Sequence, residues 1–257
     1  MNRRTLLSLL CRGVGAAASA AVLSQCESTG GGGLGGGGSL RTATKENPFV
    51  NSLGMKFVPV PGTRVLFCTT ETTVAQYQAA GMGYQAPAFS QGSDHPAVNV
   101  SWVNAMAWCQ WLSRKEGKHY RLPTDAEWSA AVGPTTYPWG NQWPPPNNFG
   151  NYCGQEFKTQ AGIDYVSSLG WKAGQLSVIG GFSDRHVFTA PVGSYAANAY
   201  GIHDLGGNVG EWCGDGAVLR GGSWSLSDRD HLASSGSNFN SPVYGFDGYG
   251  FRVVVGL

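Results

Sequence analysis

From Gly133 to Phe188 the chain runs without a sustained apolar period of a helix or a strand. This stretch limits the fold more than any other feature, because a helical bundle cannot absorb so much aperiodic backbone. Irregular backbone of this length has to be held by large aromatic side chains, metal ions or crosslinks. Tyr137-Pro138-Trp139-Gly140-Asn141 and Trp143-Pro144-Pro145-Pro146 read as aromatic and proline staples for loops. The composition points the same way: 39 glycines and nine tryptophans among 257 residues describe a loop-rich domain. With 42% hydrophobic residues the chain can bury one substantial core. A net charge of +1 and only 13% charged residues exclude a nucleic-acid footprint.

Regular elements are expected outside that stretch. Phe49 to Gly62 reads as strand, turn, strand, so the folded domain is expected from Pro48 onward. Thr73 caps a short helix over Val74 to Ala80 that Gly81 closes. The strongest helix opens after Asn99-Val100-Ser101, lines one face with Ala105, Met106, Trp108, Cys109 and Leu112, and stops at Gly117. Thr124 and Glu127 form a capping box for another helix running to about Ala131. Near the C-terminus, Arg220-Gly221-Gly222-Ser223-Trp224 and Phe251 to Val255 read as two strands.

The N-terminus reads as address and tether. Asn2-Arg3-Arg4-Thr5-Leu6-Leu7 precedes a weakly apolar run interrupted by Arg12, which is a poor spanning helix and resembles a twin-arginine export signal over residues 1–25. Val22-Leu23-Ser24-Gln25-Cys26 resembles a bacterial lipobox with Cys26 acylated, although Gln25 departs from the usual small residue. The glycine-rich residues 26–47 form a soft tether, which a cloning linker would equally resemble. The expectation is an exported, lipid-anchored monomer at the cell surface, on the outer membrane or in the periplasm, touching the membrane through its anchor alone.

Between the two C-terminal strands lies Ser225 to Tyr249, whose alphabet is restricted. Lys, Gln, Glu, Met and Trp make up 36 of the 257 residues, yet none occurs in these 25 positions. Randomising the adenines of AA-pyrimidine asparagine codons yields the residues present here and cannot yield those five. An ordinary Gly/Ser/Asn-rich surface loop also disfavours long charged residues, so composition leaves both origins open. Four cysteines remain after the tether, Cys68, Cys109, Cys153 and Cys213; they allow three pairings among which the sequence does not choose. Free buried thiols fit a protein folded in the cytosol before export. Cys109 falls on the apolar face of a helix and reads as core.

R-L-P-T-D-A-E-W (121–128), Y-P-W-G-N (137–141), A-P-V-G-S-Y-x-A-N-A-Y-G-I-H-D-L-G-G-N-V-G-E-W (190–212), R-G-G-S-W (220–224) and G-F-R (250–252) occur in the order of the formylglycine-generating-enzyme/sulfatase-modifying domain, which the chain resembles from Pro48 to Leu257. The resemblance implies an α+β, C-type lectin-like fold of one domain, residues 48–257, with few helices, short twisted sheets and much loop. Its enzymes use a cysteine pair soon after the R-G-G-S strand; here Ser225 to Ser235 holds none, and no cysteine follows Cys213. A thiolate is the nucleophile and soft ligand that oxidation needs, so no catalytic residue is expected. Structural calcium is implied at Asp204, Gly207, Val209 and Glu211, and at Asn151, Tyr152, Asp184 and His186; hydrogen bonds to turn N–H groups are the simpler role for the acids. His186, His203 and His231 form no metal-ligand spacing of their own.

Without the catalytic cysteines, and with the restricted alphabet of Ser225 to Tyr249 between its R-G-G-S-W and G-F-R strands, the chain is also similar to the variable proteins of diversity-generating retroelements, of the treponemal lipoprotein type, which implies a variable region over residues 220–252. That likeness implies a surface-displayed binder of an unknown protein or glycan through Trp224, Ser225, Ser227, Asp228, Asp230, His231, Ser237, Phe239, Asn240, Tyr244, Phe246, Asp247 and Tyr249. Rigid aromatics mixed with small hydrogen-bonding residues make a paratope-like set. A fixed calcium-dependent glycan-binding module and a divergent oxidase are the alternatives.

Overall fold

The computed structural model describes residues 39–170, 172 and 177–257. The export signal, Cys26 and most of the tether lie outside the described residues. Packing reaches back before Pro48: Leu40 and Ala43 lie against the core, and Lys45 Nζ donates to the carbonyl of Ala199 at 3.1 Å.

Two sheets carry the domain. The first has five antiparallel strands in the order β1-β2-β3-β9-β4, with β1 Phe49–Val50, β2 Lys56–Pro59, β3 Val65–Cys68, β4 Tyr120–Arg121 and β9 Val254–Gly256. Register pairs Phe57 with Cys68, Leu66 with Val255, and Tyr120 with Val255. Alternation then sends neighbours to opposite faces. Phe57, Leu66 and Val255 join one core cluster with Trp108 and Leu112, while Val58, Phe67 and Val254 join another with Trp128 and Leu205. A sheet covered on both faces explains why its strands read as nearly continuous apolar runs.

The helices lie where their caps put them. α1 Val74–Gln78 carries a Thr73–Gln76 capping box, α2 Trp102–Glu116 starts at Ser101 and ends on left-handed Gly117, and α3 Asp125–Val132 carries the Thr124–Glu127 box. Ala105, Trp108, Cys109 and Leu112 form the buried face of α2, with Met106 only half-buried at its margin. Residues 133–188, expected to show little regular periodicity, nevertheless hold a helix: α4 runs over Gln160–Ser168, after a 3-10 turn at Gln155–Lys158. Its signal is faint because Thr159 makes no side-chain cap and Gly162 interrupts it. Gly162 is required there, since a Cβ would stand 2.1 Å from the Phe157 carbonyl oxygen.

The second sheet has the order β7-β6-β5-β8, with β5 Gly210–Trp212, β6 Val218–Arg220, β7 Ser237–Phe239 and β8 Tyr249–Gly250; β5 and β8 run parallel. The expected strand over 220–224 ends at Arg220. Gly221 and Gly222 take φ of +88° and +76°, which no extended strand permits. No helix among the described residues is long and apolar enough to cross a membrane. The four described cysteines are free and buried.

Candidate ligand-binding face

The segment after β6 is organised by what it buries. Gly222 lets Leu232 approach, for a Cβ there would lie 2.4 Å from Leu232 Cδ2. Trp224, expected to meet ligand, is instead fully buried: Phe89, Phe157, Tyr165 and Phe188 surround it with ring centroids 5.2 to 5.6 Å away. Its Nε1 donates to the Asp247 carbonyl at 3.0 Å. Asp247 was also expected to meet ligand, and it too is buried, with the Tyr165 hydroxyl 2.9 and 2.8 Å from its two carboxylate oxygens. Burial without a cation pushes its carboxyl up to about 6. One cluster therefore fastens both ends of the segment to α4. Trp224 and Asp247 do not face ligand because the ring gains by burial, and the Asp247 carboxylate is buried at a cost, with the Tyr165 hydroxyl as its partner.

Between these anchors, side chains turn outward. A short helix, α5 Arg229–Leu232, is capped by Asp228, whose Oδ1 accepts from the N–H groups of Asp230 and His231 and lies 3.0 Å from His231 Nδ1. Partial burial pulls the Asp228 carboxyl upward, but those hydrogen bonds outweigh it and hold the group below its ordinary value. Asp228, Asp230, Ser237 and Phe239 are exposed as the sequence suggested, Phe239 by 80%. Ser225, Ser227, His231, Asn240, Tyr244, Phe246 and Tyr249 are half-buried. Tyr249 stands edge-on to Trp212 and Phe246, and its hydroxyl accepts from Asn240 Nδ2 at 2.9 Å. A shallow cleft with room for about one water runs between His231, Ser237 and Tyr249.

Several residues of this face were not singled out. Val243 is 77% exposed beside exposed Pro242, whose carbonyl accepts from the Val103 N–H at 3.1 Å. Arg229 reaches the Tyr137 hydroxyl at 3.2 Å and lies 5.1 Å over the Trp143 ring. Arg220 is held underneath by Asp125 and stacks 4.7 Å over Trp128. Only exposure separates Val243 from core valines, and exposure has no local signal in an irregular segment.

The residues matched to calcium sites are buried, except half-buried His186, and largely committed to protein donors. Both oxygens of Glu211 face Arg252, at 2.7 Å from Nε and 2.6 Å from Nη2, and Trp128 Nε1 donates at 3.0 Å. Asp204 Oδ2 accepts from the Gly193 N–H at 2.6 Å. The loop from Asp204 to Glu211, including Gly207 and Val209, is pinned by a residue the sequence reading overlooked, Glu71. Its carboxylate accepts from Asn208 Nδ2 at 2.8 Å and from the Val209 N–H at 3.3 Å. Burial, with Asp204 and Glu211 nearby, pushes Glu71 well above the ordinary carboxylate range. In the second set, Asp184 accepts from the N–H groups of Tyr152 and His186, and burial pushes it up to about 7. Each set keeps one buried oxygen with no donor, Asp204 Oδ1 and Asn151 Oδ1. Such orphans suit a hard cation completed by backbone carbonyls. Among the described residues no three Asp, Glu, His or Cys side chains cluster as a metal site by themselves.

Two short-stranded sheets, few helices and a loop-built face define an α+β protein of the C-type lectin-like class. The chain belongs to the sulfatase-modifying factor enzyme 1-like domain family, whose profile matches residues 42–257. It is 30% identical over 164 residues to the formylglycine-generating enzyme of Thermomonospora curvata, covering 60% of this chain and 46% of that protein. The chain spans between about a quarter and about half of the length of the curated relatives it matches. In structure it is similar to PvdO from Pseudomonas aeruginosa, with a TM-score of 0.59 and 24% identity over 75% of this chain and 80% of that one. It is also similar to Treponema denticola variable protein 1, with a TM-score of 0.57 and 22% identity over 79% and 95%.

Proposed function

We propose that this chain is a binding protein whose ligand meets the segment between β6 and β8, and that adenine-directed retroelement mutagenesis diversifies that segment. One observation carries the reading: a stretch of restricted alphabet is fastened by buried Trp224, Leu232 and Asp247 while Asp228, Asp230, Ser237, Phe239 and Val243 face solvent. A fixed frame under changeable side chains is what tolerance to randomisation requires. The fold it shares with a treponemal variable protein supports the same reading.

Oxidation of a substrate thiol has little to work with here. Burial raises all four described thiols, Cys153 to about 12, and none is in the segment that follows β6. A protonated buried thiol is a poor nucleophile, so we assign no catalysis. Display through a lipid on Cys26 and a glycine-rich tether completes the proposal, with calcium at Asp204 and Asn151 as a loop clamp.

Sequencing the locus in several isolates tests the reading. The expected result is a nearby near-copy of the segment rich in AAC codons, with differences confined to template adenines and concentrated at residues 228, 230, 237, 239 and 243. A constant segment with no such copy would overturn it.

A further inference from the structure

The β7 strand has one neighbour. It lies at the edge of its sheet and pairs with β6 alone, Val218 opposite Phe239 and Arg220 opposite Ser237. The next position fixes which backbone groups are used, because the Asn240 N–H donates to the Ala217 carbonyl at 3.2 Å. Hydrogen-bonded and non-hydrogen-bonded pairs alternate along an antiparallel ladder. Phe239 and Ser237 therefore occupy non-hydrogen-bonded pairs, and their N–H and C=O groups point away from β6. Among the described residues no strand pairs along that edge, and the Ser237 and Phe239 backbone groups make no hydrogen bond there. It is a row of main-chain donors and acceptors of the kind an added strand uses.

The exposed side chains favour an extended polypeptide over a sugar. Phe239, on β7, and Val243, four residues beyond it, are the most exposed large apolar residues described, a surface that suits the apolar side chains of a peptide. Charge narrows the partner further. Between β5 and β8 the exposed acids are Asp215, Asp228 and Asp230 and the one exposed base is Arg229, which also touches Tyr137 and Trp143, while Arg220 is buried.

We infer that β7 receives an extended segment of a protein ligand as an added strand, with the Ser237 and Phe239 backbone groups pairing to it, Phe239 and Val243 gripping its apolar residues, and the aspartates selecting basic flanks. This deepens the binding reading above and rests on it. Main-chain pairing would keep the mode of binding while the side chains that set affinity and specificity vary, since the hydrogen bonds belong to no particular residue type.

The test uses the full chain and a displayed library of random linear dodecapeptides, followed by synthesis of the selected peptides. The expected binders alternate apolar residues, carry Lys or Arg at their ends, and lose about tenfold or more in affinity when alternate amides are N-methylated. Phe239→Ala, at an exposed position, should weaken them similarly, and Asp228→Asn with Asp230→Asn should reduce their salt dependence. The absence of peptide binders, or binders indifferent to N-methylation, overturns strand addition. A glycan array run in parallel separates the two readings. Glycans that bind wild type but not Phe239→Ala sink this inference and leave the binding face standing, whereas ligands unaffected by every substitution from 228 to 243 sink both.

Discussion

Replacing Asp247 by asparagine isolates a buried charge inside the segment proposed to vary. The aspartate carboxyl is pushed from its usual 3.8 up to about 6 in the folded protein, chiefly because burial removes water and only a Tyr165 hydroxyl replaces it. In the unfolded chain the group titrates at its ordinary value. Between the two values the folded state still holds a proton that the unfolded state has released, so native stability falls as pH rises from about 4 to about 6 and levels off above. Raising the carboxyl from 3.8 to about 6 corresponds to about 3 kcal/mol. Asparagine keeps an oxygen for Tyr165 and removes the titration. Urea unfolding followed by tryptophan fluorescence at pH 4 and pH 7 measures the effect. The variant should gain up to about 3 kcal/mol on wild type between those values. Asp184, Asp204 and Glu71 are also raised, but they move both proteins together and cancel in the difference. If the gap between variant and wild type is the same at both pH values, Asp247 is not a buried carboxylate and the anchoring argument fails with it.

Leu232→Ala should cost about 2–5 kcal/mol by leaving a cavity against Gly222, measured by the same unfolding assay, although it lies amid exposed residues. Glu211→Gln should cost about 3–5 kcal/mol, because Arg252 would be left buried without its carboxylate; a loss below 1 kcal/mol would deny that this pair holds the two sheets together. Millimolar calcium should raise the melting temperature and a chelator reverse it, with Asp204→Asn reducing the shift. An unchanged melting temperature would mean that the orphan oxygens are met by water.

The helices of the first half were legible because capping is local chemistry: Thr73, Ser101 and Thr124 each reach an N–H three residues on, and glycine ends α2 by its own backbone freedom. The family motifs were equally legible, as their residues serve fixed backbone turns. Short strands such as β7 and the helix α4 were not, because both owe their stability to partners distant in sequence. Trp224 shows the difference most sharply, since the ligand-contact role that the family likeness implied for it is overturned by four rings brought from residues 89 to 188.

By itself, then, the sequence determined the loop-rich character of the domain, its capped helices, the missing thiols and the restricted alphabet of residues 225–249, all properties of residue identity and near neighbours. Only the tertiary structure decided which members of that segment are scaffold and which are surface. Exposure depends on what the rest of the chain packs against each side chain, and for Asp247 and Phe239, eight residues apart, that packing gives opposite answers.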